Sequence, residues 1–471
     1  MSRKVFLLAL AAFPLCFGAC VHAPKYQRPA LPVLETWPQS AAVSPDAASA
    51  PAAASVKWQD FFTDKNLQEV ISLALKNNRD LRVAALDVEK VQAEYRIRRA
   101  QQYPTVSASA TGDLYRIPRM EMYGFSIPQA VTVQEYTVNV GVTSWEVDLF
   151  GRVRSLKSAA LESFLATEQS RSATQIALVA AVANTYLTLA GDRENLRLAQ
   201  KTLDAQRASY ELIRGSRETG IASDLDLRQA QSQVEAAQVE IARYTGQVDL
   251  DENALNLLVG AAVCADLLPG ELGSDQALKD IAPGMPSQVL LQRPDILAAE
   301  HQLKAAYANI GAARAAYFPQ ITLTGGGGLV SSQLHSLFQG NPETWSFAPQ
   351  IALPIFDMGT RRANVKIAQA DRDIAVAEYE KTIQSAFREV SDSLALRTRL
   401  MEQQNAQQSL VNTLDETYRL SDARYKTGID NYLSVLVAQR SLYAAQQGLV
   451  GLRLSRLSNL VTLYKVLGGG A

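Results

Sequence analysis

The sequence predicts an α+β membrane protein: very long helices packed side by side, and four β-strands per chain contributing to a shared twelve-stranded transmembrane β-barrel in a trimer. Three observations predict it. A pattern of residues recurs in order at a spacing near 210. Proline is missing between Pro128 and Pro269 and again after Pro354. Beside the proline-free stretches lie segments in which apolar and polar residues alternate.

The repeat carries most of the prediction. Tyr103-Pro104 corresponds to Phe318-Pro319 at an offset of 215. Thr219-Gly220-Ile221 corresponds to Thr427-Gly428-Ile429 at 208, as does Leu255 to Leu463, while Phe150 pairs with Phe356 at 206. The drop from 215 to 206 places a shortening between the proline and the phenylalanine of the second copy. The chain therefore divides into a signal peptide at 1–19, an acylated N-terminus and Pro/Ala-rich tether at 20–57, a first repeat at 58–262, a connector at 263–292, a second repeat at 293–468 and a tail at 469–471. Each repeat has one plan: helix, two strands, a very long helix, a Thr-Gly turn and a shorter helix.

Proline breaks helices, so its absence permits long ones. Arg152 to Arg217 is 66 residues, roughly 100 Å at 1.5 Å per residue. Such a helix must pack side by side with others. Small residues such as Ala180, Ala181 and Ala183 let neighbouring backbones approach closely.

The strands separate this from a helical rod. Tyr136, Val138, Val140 and Val142 alternate with Thr137, Asn139, Gly141 and Thr143; Trp345, Phe347, Ile351, Leu353 and Ile355 alternate with small or polar residues. Their partners are expected at Thr105–Thr111 and Gln320–Gly326, with loops at Tyr115–Gln129 and Gly327–Glu343. One apolar and one polar face suits a barrel wall between lipid and water. Four strands cannot close a barrel, and an open edge in lipid is forbidden, so other copies must complete it. Eight strands fill with their own side chains and twelve leave a lumen, so a homotrimer is the economical expectation. Outside the signal no uninterrupted apolar stretch of about twenty residues is expected to cross a membrane as a helix.

Arg3 and Lys4, the apolar run Val5 to Phe17 and the small pair Gly18-Ala19 read as a signal peptide. Cys20 comes next. Small residues before such a cysteine resemble a bacterial lipoprotein processing site, although Phe17 stands where that pattern usually has Leu. The resemblance implies a covalent lipid on Cys20 and, with Val21 next, an outer-membrane destination. Two or more acyl chains anchor a protein stably. Cys16 leaves with the signal and Cys264 has no partner, so no disulfide framework is possible.

Lys and Arg number 46 against 47 Asp and Glu, a net charge of −1 with no basic block, which excludes nucleic acid as a partner class. The three histidines, His22, His301 and His335, form no metal-ligand cluster. Gly325 to Gly328 lacks the Lys-Ser/Thr of a phosphate loop and reads as a flexible strand end. No nucleophile, base or metal constellation is present, so no enzyme activity, metal or cofactor is expected.

Trp58 with Asp60-Phe61-Phe62, Asn78 with Asp80-Leu81, Gln292-Arg293-Pro294-Asp295 with Ala299-Glu300, Ile310 to Pro319, Tyr425 to Gly428 and Gln439-Arg440 resemble the outer-membrane efflux protein family in its lipoprotein branch. The similarity runs from Tyr26 to Gly470. It implies a trimeric outer-membrane channel of an RND-type efflux system, a twelve-stranded β-barrel on a long α-helical barrel, anchored in outer-membrane lipid, with a large periplasmic portion. Its implied partners are a periplasmic adaptor (membrane fusion) protein and an inner-membrane RND pump. It also directs attention to the two Thr-Gly turns, where related channels narrow. There Leu225 and Leu433 are expected to narrow the pore, Asp224, Asp226 and Asp430 to supply negative charge, and Arg228 and Arg440 to pair with carboxylates. Aspartate at a helix start is otherwise an N-cap. Family members tend to have Asp where this chain has Val437, which weakens the expected lock at Arg440. A duct for protein secretion and a lipid-anchored structural rod remain the alternatives.

Overall fold

The computed structural model describes residues 23–38, 56–122, 125–127, 129–272, 278 and 289–469. The expected signal peptide, Cys20, the tether between 39 and 55 and half of the connector lie outside the described residues.

Three helices open the first half: α1 (Trp58–Phe61), α2 (Lys65–Asn77) and α3 (Arg79–Ala100). Asp64 caps α2, its carboxylate accepting from the backbone N–H groups of Asn66 at 2.8 Å and Leu67 at 3.3 Å. Next come strands β1 (Val106–Ile117), β2 (Met120–Met122), β3 (Phe125–Ile127) and β4 (Val131–Glu146), then helices α4 (Arg152–Glu218) and α5 (Asp224–Val259). The second half runs α6 (Pro294–Ala315), β5 (Gln320–Ser331), β6 (Glu343–Ala352), α7 (Thr360–Lys426) and α8 (Tyr432–Val466). The matching elements agree in length: 22 residues in α3 and α6, 67 in α4 and α7, 36 in α5 and 35 in α8. The hairpin of β2 and β3 belongs to the first half; at the matching place the second half has a short 3-10 turn, Leu334–Ser336.

Contacts divide the chain into two compact units, each drawing on both halves. One comprises 1–29, 88–167 and 299–379; the other comprises 30–87, 168–298 and 380–471.

The first unit holds the sheet, antiparallel in the order β1-β4-β5-β6. Its strands are longer than expected: β1 continues through Ile117 and β5 through Ser331, into stretches that read as loops, and β6 ends at Ala352, short of Ile355. Gly325 to Gly328 therefore lie inside a strand and not at its end. The reason is close backbone approach. A Cβ on Gly141 would sit 2.6 Å from the Gly325 carbonyl oxygen, and one on Gly328 would run into the carbonyl oxygen of Val138. Val142 pairs with Gly325 and Trp145 with Leu323, so β4 carries one extra residue there. Ser144, with φ of 55°, absorbs this bulge and donates its N–H to Thr324 Oγ1 at 3.2 Å.

The register sorts the side chains. Residues paired across antiparallel strands share a face. One face carries Ala108, Val140, Val138, Leu323, Trp345, Phe347 and Ile351; the other carries Ser109, Thr111, Asn139, Thr137, Thr324 and Ser346. Trp345 is 81% exposed, which in a water-soluble fold would be costly.

The second unit is helical. Phe61 stacks on Tyr464 at 4.0 Å, with Phe62 edge-on to the same ring, and Trp37 stacks on Phe387 at 4.9 Å. Arg293 is buried; it donates to the Val466 carbonyl at 2.7 Å and pairs with Asp295 and Glu389. Helix α4 contains an 18-residue window apolar enough, by length and composition alone, to cross a membrane, with mean hydropathy 1.4, though polar residues interrupt the helix. Of that window 56% is buried inside the fold, and Val179, Val182, Ala183, Leu189 and Ala190 are in the core. Alanine-rich sequence raises hydropathy without a long aliphatic run, and here it serves close helix packing.

Candidate pore constriction

The two Thr-Gly turns lie in the helical unit and pack into one cluster. Ile213 of α4, Ala230 of α5 and Tyr432, Val435 and Leu436 of α8 form its buried centre, with Tyr418 and Tyr425 of α7 against it. Both turns are built alike. Gly220 and Gly428 take φ of 77° and 73°, a conformation that favours glycine, and the next residue's N–H closes each helix onto Ser216 or Arg424.

Each outgoing helix is capped. Ser223 and Asp226 form a capping box: the serine Oγ accepts from the Asp226 N–H at 3.1 Å, and Asp226 accepts from the Ser223 N–H at 3.1 Å. Asp226 is thus committed to the cap. Asn431 caps α8 through the Ser434 N–H.

Asp224 and Asp430 do find arginines, though not the expected ones. Arg217 Nε donates to Asp224 at 2.5 Å. Arg424 forks onto Asp430 through Nε at 2.6 Å and Nη2 at 3.1 Å, holding that carboxyl below the usual range. Arg228 instead donates to the Gln231 amide oxygen at 2.8 Å. Among the described residues Arg440 has no carboxylate partner; it lines a cavity of about 510 Å³ with Glu240, Gln206 and Val437. The physical reason is position. Arg217 and Arg424 stand in the last turn of the long helix, where the reversing chain returns Asp224 and Asp430 to them, whereas Arg228 and Arg440 are further along the outgoing helices. An arginine a few residues before each Thr-Gly turn was the signal that would have found them.

Leu225, Leu433 and Val437 are 66%, 51% and 57% exposed, as are Ile221 and Ile429 to a similar or greater degree, so the turns present an apolar rim beside their ion pairs. Behind it Tyr432 is buried with a hydroxyl that finds no partner. Burial, helped by Tyr425, Tyr418 and Asp226, pushes that phenol up to about 12. Among the described residues no group of three or more His, Cys, Asp or Glu could hold a metal ion.

A sheet with one apolar and one polar face and two unpaired edges, carried on 67-residue helices, defines the class of outer-membrane channel subunits. The chain belongs to the outer membrane efflux protein family, whose pattern matches residues 70–261 and 285–469. It is 49% identical over 472 residues to two relatives from Pseudomonas putida, the antibiotic efflux pump outer membrane protein ArpC and the toluene efflux pump outer membrane protein TtgC, covering 100% of this chain and 96% of each. It is similar in fold to the open state of the Neisseria gonorrhoeae MtrE outer membrane channel, with a TM-score of 0.86 and 37% identity over 96% of this chain and 98% of that one. This protein is therefore an outer-membrane efflux channel with a large periplasmic portion, a transport component.

Proposed function

We propose that three copies of this chain close a twelve-stranded barrel in the outer membrane and form the exit duct of a tripartite RND-type pump, with a periplasmic adaptor and an inner-membrane pump as partners. The observation that carries this reading is the sheet: β1 and β6 are its two edges, and a strand edge in lipid must be paired. Pairing β6 of one copy with β1 of the next removes every edge. The polar faces then line a lumen into which Asp113 and Glu135, directly opposite each other across β1 and β4, bring negative charge. The equal helix lengths in the two halves support descent from one duplicated unit.

The turns form the periplasmic constriction. Leu225 and Leu433 narrow it, Asp224 and Asp430 ring it with charge, and Arg217 and Arg424 hold those carboxylates in place. The cargo is small and organic, in keeping with relatives named for antibiotics and toluene. Cys20 carries the lipid anchor. The test is accumulation of a fluorescent dye and several antibiotics in cells with and without the gene, with Cys20→Ala alongside. Higher accumulation in the deletion, reversed by the intact gene, supports export. Unchanged accumulation in cells that also lack related ducts would sink it.

A further inference from the structure

Glu300, on α6, has a side chain that is 3% exposed. It accepts from the Tyr26 hydroxyl at 3.0 Å, from Arg28 through Nε at 3.2 Å and Nη2 at 2.7 Å, and from Lys304 at 3.3 Å. A carboxylate this buried is strongly disfavoured unless it is paired, and most of its donors come from the N-terminal segment, not from its own helix. The same segment makes two further contacts along α6. The Tyr26 ring meets Tyr307 edge-on at 5.6 Å, and Ala23 lies so close to Gly311 that a Cβ there would be 2.8 Å from its own. The strap thus runs antiparallel to α6, with Ala23 four residues from the end of the helix that leads into β5.

We propose that Tyr26 and Arg28 on Glu300 are a positioning clamp that holds the start of the mature chain at the strand end of α6. Only Val21 and His22 lie between Ala23 and Cys20, three chain steps with a reach of at most about 10 Å. The clamp therefore fixes where the acyl chains enter the membrane relative to the barrel strands. This rests on the proposed function as a lipid-anchored channel.

The test uses the full chain in outer membranes, with four variants: Arg28→Glu, Glu300→Arg, the combined charge swap, and Cys20→Ala. Trypsin cleavage after Lys25, dye accumulation and the melting temperature of the helices are measured on each. Arg28→Glu is expected to raise cleavage and dye accumulation several-fold with the helices melting as in the parent, and the swap to restore both. Parent-like cleavage and export in Arg28→Glu would overturn the clamp. So would a lost melting temperature that the swap does not repair, or Cys20→Ala exporting as well as the parent. A parent that exports nothing would instead remove the efflux reading, while the cleavage comparison still decides whether the strap is held.

Discussion

Asp251 is buried on α5, and its Oδ2 finds no donor. The carboxyl of Asp192, on α4, lies within hydrogen-bond reach and is pushed up to about 6, first by burial and then by Asp251. A carboxylate held in the interior beside a second acidic side chain is disfavoured as a charge. A carboxyl raised above its unfolded value contributes stability that is fully present below about pH 4 and is lost as pH rises through about 6. Asp192→Asn keeps the neutral form at every pH. It is expected to raise the free energy of unfolding at pH 8 by about 1–2 kcal/mol after allowing for solvent, seen as a higher thermal midpoint, and to leave both unchanged at pH 4; calorimetry at the two pH values checks this. At the turns, Leu433→Ala combined with Asp430→Ala should give a higher conductance than the parent in planar bilayers. Arg424→Ala, which frees Asp430 from its fork, should move conductance the same way. No rise in either would remove the constriction from this end of the helices.

At the scale of elements, the sheet depends on what its glycines lack. Gly141 and Gly328 face backbone atoms of the neighbouring strand with no room for a side chain. Gly141→Val should cost more than the 1–3 kcal/mol typical of overpacking, because the obstacle is main chain and cannot rotate away. The yield of assembled channel in isolated outer membranes should fall sharply, while Gly215→Ala, in open space on α4, should leave it intact. The long helices carry less risk of this kind. Their stability is spread over many small contacts, and the alanine-rich faces of α4 tolerate conservative change wherever the side chain points to water.

At the scale of the whole molecule, the proposed shared barrel requires more than one chain. Val140, Trp345, Phe347 and Ile351 are exposed on one side of a four-stranded sheet with two open edges, an arrangement that neither water nor lipid accepts alone. Purified in detergent, the protein should behave as three chains by light scattering. Substitution of an edge residue of β6 by proline should shift it toward single chains without loss of helix signal in circular dichroism. A single chain in the unaltered protein would overturn the shared barrel.

Features set by local chemistry were legible in the sequence alone. The absence of proline permitted helices of 67 residues, Thr-Gly marked their ends, and alternation marked strands from Tyr136 and Trp345. Those signals act between near neighbours, so they can be read along the chain. Only the tertiary structure decided which arginine meets which aspartate, because that depends on how the chain reverses: Arg217 and Arg424 win over Arg228 and Arg440 by standing on the incoming helix. It alone turned Gly325 to Gly328 from a loose end into the middle of a strand, since the need for glycine lies in the approach of β4. The partners of Glu300 were likewise invisible in sequence, where 272 residues separate it from Arg28 and nothing but folding brings a buried charge and its donors together.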